Sequence, residues 1–307
     1  MLDLPNPLSA EPADPPAHHV RAALDIRLRL LLAHEAGTRS GADVEDLHQM
    51  RVSVRRMRAA LKAARPLLDV SWADGLRDEL GLLGGALGPV RDLDVLLLRL
   101  RGEIAKLPER EQAAGEVLVA MLELARATAR AEMLAALDAP RYASLLERLA
   151  DAIRLPLPTP TATQAQPELV DLVRLQVHKL RKAVERAGED PPDETLHALR
   201  ILGKRVRYTG ELLEPALRVS GAEDTRRAVR RLLAATAALQ EALGDHQDAC
   251  VAEQRIRELV DELGDQPDPQ VVFVAGRLVE RERSRADATR ALWWPAWERV
   301  RASAGWL

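Results

Sequence analysis

Aromatic side chains make up only 3% of the 307 residues, with a single Phe, so any core must be packed by Leu, Ala and Val. The chain also lacks runs of Val, Ile, Thr and Tyr. The strong helix formers Ala, Leu, Arg and Glu dominate instead, which points to an all-α fold. One cysteine, Cys250, excludes an internal disulfide and a multi-Cys metal cluster. No stretch of about eighteen apolar residues occurs, so no membrane span and no membrane partner are expected. The first twenty residues have no Lys or Arg and no apolar run of leader length, which makes the cytoplasm the default location. Basic excess is missing as well: 44 basic against 47 acidic residues give a net charge of -3 and a pI near 6.2. A general nucleic-acid coat is usually basic. Any anion site here must arise from local segregation of charge.

With 47% hydrophobic residues, the length suits two ordinary domains or one large bilobed one. Residues 1–17, rich in Pro, read as a disordered tail. Helical periodicity starts near Val20, with breaks expected at Gly37–Asp43, Pro66–Ser71, Gly88-Pro89, Pro108 and Pro140. Pro156, Pro158, Pro160 and Pro167 mark a linker over 155–167. Beyond it, helices are expected at 168–187, 193–213, 222–243, 245–263, 268–288 and 294–303.

Across that linker the sequence repeats. Leu47-His48-Gln49-Met50-Arg51 aligns with Leu196-His197-Ala198-Leu199-Arg200, about 150 positions later, and Arg55, Arg56 and Arg58 fall on Lys204, Arg205 and Arg207. Leu87-Gly88 and Asp92 align with Leu243-Gly244 and Asp248, with the spacing changed by about seven residues. Two motifs in the same order argue for a duplicated unit. The expected architecture is two pseudo-two-fold-related helical bundles, 18–154 and 168–303, forming one bilobed domain.

The repeated segments carry the chemistry. His48, Arg51, Arg55, Arg58, Lys62 and Arg65 recur every three or four residues, within an arc of roughly 100° on a helix. Leu47, Met50, Val54, Met57 and Leu61 lie beside them, on the face that should pack inward. Between Leu47 and Arg65 there is no Asp or Glu. Like charges at i, i+4 repel by a few tenths of a kcal/mol, so a row without local acids favours an anion. His197, Arg200, Lys204 and Arg207 repeat the row, with Arg205 offset, and no acid follows until Glu211. Lys179 and Lys182, in a third basic segment with Arg174, His178, Arg181 and Arg186, join the candidates.

A charge-assisted contact to phosphate contributes about 1.5–3 kcal/mol, and some ten such groups exceed what one small phosphate can engage. Single-stranded nucleic acid usually brings stacking aromatics, and the rows contain only Tyr208. A polymer of phosphate alone, inorganic polyphosphate, fits this pattern, and it reads alike from either end. Nucleic acid shares the electrostatics and stays open to competition tests. Protonation of a histidine beside phosphate predicts tighter binding below about pH 6.5.

At these residues the sequence resembles the CHAD (conserved-histidine α-helical domain) family. The signatures are His48 through Arg58, His197 through Tyr208, and the flanking Leu87–Asp94 and Leu243–Ala249. The resemblance covers roughly 18–303. It implies two helical bundles with a basic central cleft and binding of polyphosphate, with association at polyphosphate granules. By position it implies ligand contacts from His48, Arg51, Arg55, Arg56, Arg58, His197, Arg200, Lys204, Arg205, Arg207 and Tyr208, and from Arg91. Many relatives fuse this module to a triphosphate-tunnel (CYTH) domain, whose alternating-glutamate signature is absent here. Catalysis borrowed from such a partner is therefore not expected.

Other readings are weaker. Neither His48 nor His197 is followed by a ligand at i+3 or i+4, and the neighbouring arginines repel cations, so no metal and no cofactor are expected. Asp92 and Asp248 follow helix-breaking glycines and are expected in first turns, as caps or salt-bridge partners. His246, between Asp245 and Asp248, resembles metal-phosphohydrolase spacing, but the remaining ligands are missing. Trp293, Trp294 and Trp297 read as an apolar cap. The competing function classes are a phosphohydrolase, a phosphorelay protein using His48, and a nucleic-acid binder. Hydrolysis lacks a clustered acid pair and an evident nucleophile, so the chain is not expected to be an enzyme.

Overall fold

The computed structural model describes residues 2–159, 168–219 and 222–307. The described residues form nine α-helices and one 3-10 turn, with no strand. The helices are α1 (Pro16–Ser40), α2 (Val44–Ala63), α3 (Val70–Ile104), α4 (Glu109–Asp138), α5 (Pro140–Arg154), α6 (Leu169–Ala187), α7 (Asp193–Ala216), α8 (Glu223–Glu262) and α9 (Pro269–Ser303). Their starts are chemically marked. Asp43, Asp69 and Asp268 each accept a backbone N–H from the following turn, and Pro16, Pro140 and Pro269 sit where a missing N–H costs nothing. Gly41 closes α1 at φ 72°, a left-handed conformation that a side chain disfavours.

Four helices pack as consecutive pairs, α1 on α2, α2 on α3 and α3 on α4. The same succession recurs in α6 on α7, α7 on α8 and α8 on α9. Two contacts join the series at matching helices, α2 on α7 and α4 on α9. The cores do not divide by repeat. The larger one draws buried residues from all nine α-helices together. The smaller is a bundle of the distal ends of α3, α4, α8 and α9, built on Leu100, Leu118, Leu122, Ile256, Leu259, Val274 and Leu278. Each repeat therefore lends two long helices to a shared distal arm.

Several expected breaks are not there. α3 runs through Gly88-Pro89, α8 runs through Gly244, and α9 joins the two segments expected at 268–288 and 294–303. A Pro inside a helix costs about 3 kcal/mol and a Gly about 1 kcal/mol. Tertiary packing outweighs both: Leu83, Leu87 and Val90 are buried on either side of Pro89, and Leu243 and His246 flank Gly244. Asp92 and Asp248 are consequently mid-helix residues, not first-turn caps. In α9, Trp293 and Trp297 are buried across the expected gap, and Trp293 donates its indole N–H to the Glu189 carbonyl.

The N-terminal segment expected to be disordered is held against the helices. Leu4 and Leu8 pack on the main core. The Leu8 N–H bonds the fully buried Asp25 carboxylate at 2.7 Å, and Arg29 and Arg154 donate to the carbonyls of Pro5 and Asp3. Backbone contacts of this kind cannot be inferred from Pro-rich composition. The part of the predicted linker at 160–167 lies outside the described residues.

Candidate anion-binding cleft

α2 and α7 set the cleft. The apolar row of α2, Leu47 through Leu61, is buried, which turns its basic row away from the core. In α7, buried Leu196, Leu199, Gly203 and Val206 do the same for His197, Arg200 and Lys204. Because α2 packs on α7, the two rows meet. Lys204 feels Arg200 of its own helix and Arg55 and Arg51 of the other. Burial first, then these charges, push its ammonium down to about 8, with Asp248 partly opposing. Arg200 is lowered chiefly by burial and then by Arg55 and Arg51. Its Nε is buried with no hydrogen-bond partner, a donor that folding leaves unpaired.

Two further groups extend this cluster. Toward the start of α2, burial and then Arg91 hold His48 below the usual imidazole range; Arg55 and Arg51 add to this and Glu45 opposes it. The pH window in which His48 gains charge in the free protein therefore lies lower than the sequence expectation of about 6.5. At the other end, Lys62 is lowered by burial and then by Arg205, Arg77, Arg58 and Lys179. Lys62, Arg77, Lys179 and Arg205 border a cavity of about 630 Å³ between α2, α3, α6 and α7. Its lining includes Arg77 and Arg65, whose shared partner Asp74 is the only acid there.

Few of the candidates are already neutralised. Arg51 pairs with Asp92 at 3.0 Å and donates to the Gly88 carbonyl at 2.6 Å. A Cβ at Gly88 would come within 3.3 Å of that guanidinium, so the glycine makes room for Arg51 rather than ending the helix. His197 bonds Gln247 at 2.9 Å. Among the described residues, Arg55, Arg58, Lys62, Arg91, Lys179, Lys182, Arg200, Lys204 and Arg205 have no ion-pair partner.

Four predicted residues are not brought to the cleft. Arg56 lies about a quarter turn from the α2 row, pairs with Glu211 at 3.0 Å and sits 5.7 Å from the Tyr208 ring centre. Arg207 also bonds Glu211, at 3.1 Å. Buried Tyr208 faces a separate cavity under residues 8–10. The repeat explains the difference, because Glu211 stands where the first copy has Lys62. Lys182 is exposed on α6, and no hydrogen bond or ion pair ties it to the cleft. Arg77 was missed, whereas the salt-bridge role expected of Asp92 is seen at Arg51, and Asp248 acts on Arg200 and Lys204. Arg77 lies outside the repeated rows, but the two aspartates recur in register within the second repeated motif.

Fold and cleft together define a class: an all-α protein in which two helices carrying a repeated sequence motif set basic rows against each other. The chain belongs to the CHAD domain family, whose model matches residues 22–257. It is 28% identical over 283 residues to two uncharacterized proteins of Mycobacterium tuberculosis, MT2285 of strain CDC 1551 and Rv2226 of strain H37Rv. The match covers 90% of this chain, and the chain spans about half the length of those relatives, 52%. PptA from Streptomyces chartreusis shares the fold, with a TM-score of 0.73 at 24% identity over 92% of this chain and 98% of that one. The CHAD domain from the plant Ricinus communis aligns with a TM-score of 0.69 at 27% identity, covering 95% and 96%. No helix among the described residues is long and apolar enough to cross a membrane.

Proposed function

We propose that this chain binds inorganic polyphosphate, without cleaving it, along the cleft where the α2 and α7 rows meet. The observation that carries this reading is the cluster of Arg51, Arg55, Arg200 and Lys204. Burial and their mutual repulsion depress Lys204 to about 8, and among the described residues Asp92 and Asp248 are the carboxylates set against them. A fold bears such repulsion at a cost, and a bound polyanion relieves it. Lys62, Arg58, Arg205 and Lys179 continue the track toward the α6 side. At the opposite end, toward the start of α2, it reaches His48 and Arg91. Family membership supports the same ligand class, and association with polyphosphate granules would follow from it.

The test is competition. Labelled polyphosphate bound at physiological salt should be displaced by unlabelled polyphosphate at far lower phosphate concentration than by single-stranded DNA or RNA. Displacement at equal phosphate by either nucleic acid transfers the site to nucleic-acid binding. Incubation with polyphosphate and Mg²⁺ should release no phosphate; steady release that follows the purified protein establishes a phosphohydrolase.

Salt provides a second check. Several ion contacts form at once, so the logarithm of affinity should fall linearly with the logarithm of salt concentration, with a slope of several units, about 0.7–0.9 for each phosphate neutralised if polyphosphate behaves as nucleic acids do. A flat titration rules out the multi-contact cleft.

A further inference from the structure

His246 is buried in the middle of α8, and both of its ring nitrogens face acceptors. Nδ1 lies 3.0 Å from the Ala286 carbonyl, so that nitrogen carries a hydrogen. A neutral ring then aims its Nε2 lone pair at the Asp193 carboxylate, 3.0 Å away. Two acceptors cannot face each other at that distance without a second proton or a cation between them. Cys250, one helical turn along α8, places Sγ 3.7 Å from Nε2 and 3.7 Å from Asp193 Oδ2.

We propose that Asp193, His246 and Cys250 form a binding site for a divalent metal ion of the Zn²⁺ type, with a fourth position open to solvent. Zn–N and Zn–O bonds of about 2.0–2.2 Å and a Zn–S bond of about 2.3 Å put tetrahedral ligand atoms roughly 3.3–3.6 Å apart. The separations seen here are 3.0 Å from Nε2 to Asp193 Oδ1, 3.7 Å from Sγ to Nε2 and 3.7 Å from Sγ to Asp193 Oδ2; they bracket that range through the two oxygens of one carboxylate. The Nδ1–H donated to a backbone carbonyl is the outer-shell contact that orients a metal-binding histidine. One nitrogen, one oxygen and one sulfur donor suit a borderline ion better than Mg²⁺ or Ca²⁺, which take oxygen.

Access is open, since the Asp193 side chain is about half exposed and Cys250 is partly exposed. Arg290 bonds Asp193 Oδ1 at 2.5 Å and Asp190 at 2.8 Å, which leaves Oδ2 toward Cys250. An entering ion displaces the Cys250 thiol proton to solvent. The site also has a consequence for the cleft. Asp193 lies one turn before His197 on α7, and Gln247, next to His246, bonds His197. An ion here ties the start of α7 to α8.

The full chain, stripped with a chelator and titrated with Co²⁺, tests this. One equivalent should bind, with a near-ultraviolet thiolate-to-cobalt charge-transfer band and visible bands of tetrahedral intensity, and Zn²⁺ should displace it. Cys250→Ser should remove the charge-transfer band and weaken Zn²⁺ binding by more than ~100-fold, beyond the roughly 10–100-fold typical of an outer-shell loss. Asp193→Asn, more exposed than His246 and less apt to unfold the bundle, should also weaken it. Cobalt binding without a thiolate band, or unchanged Zn²⁺ affinity in Cys250→Ser, overturns the site. Neither readout involves polyphosphate, so the two proposals stand or fall separately.

Discussion

Replacing Arg55 and Arg200 by Gln and Lys204 by Met in one protein is expected to lower polyphosphate affinity at least ~1000-fold while raising the melting temperature. Each of the three side chains would otherwise give phosphate a charge-assisted bond of about 1.5 kcal/mol, a lower bound, and together these amount to roughly three powers of ten. The sign of the stability change comes from the free protein, where Lys204 faces Arg200, Arg55 and Arg51 with only Asp248 in opposition. Removing three of these charges relieves repulsion inside a partly buried cluster, and Met keeps the apolar stem that Lys204 packs. Arg55 and Arg200 are better targets than Arg51, which also holds the Gly88 carbonyl and Asp92 and would mix binding with folding. Calorimetric titration with polyphosphate and thermal unfolding of the same variant give both readouts. Retained affinity moves the ligand elsewhere. Lost affinity together with lost stability means the row serves the fold.

What the sequence made legible was what repeats or alternates locally. The α2 and α7 rows were visible because basic and apolar residues recur at helical spacing, and the packing of α2 on α7 brought Arg51 and Arg55 to Arg200 and Lys204. Helix ends were misread where a local cost was overruled from a distance. Pro89 and Gly244 are breakers by propensity, yet buried side chains on both sides carry the helices through. The same limit hid Gly88's part in seating Arg51, because it depends on a contact 37 residues away in sequence. Arg56 and Arg207 look equivalent to cleft residues when only basic positions are counted. A single substitution across the repeat, Glu211 for Lys62, sets them apart by supplying a carboxylate. His246 and Cys250 stand one turn apart on α8, but Asp193 joins them only because the fold sets the start of α7 beside the middle of α8.

Proton uptake should accompany binding above about pH 8, and polyphosphate affinity should fall by up to about tenfold per pH unit from there toward 10.5. In the free protein the Lys204 amine is depressed to about 8 from an ordinary 10.5, so below pH 8 it is charged with or without ligand and adds no slope of its own. Above pH 8 the free amine loses its proton, while phosphate oxygens restore it, and each bound chain must take one up. Folding responds with the opposite sign. Between about 8 and 10.5 the unfolded chain holds the Lys204 proton and the folded chain does not, so stability of the free protein rises with pH across that window. Below it, the full cost of the buried charge is present. Guanidinium groups stay charged throughout, so Arg51, Arg55 and Arg200 contribute no slope. Lys62, lowered by burial and by Arg205, Arg77, Arg58 and Lys179, adds a weaker change in the same direction. Titrations in buffers of different ionisation enthalpy count the protons, and Lys204→Met should flatten most of the affinity slope and most of the stability slope together. If the slope survives in that variant, the depressed ammonium is not what meets the ligand, and the phosphate track runs through the Lys62 end alone.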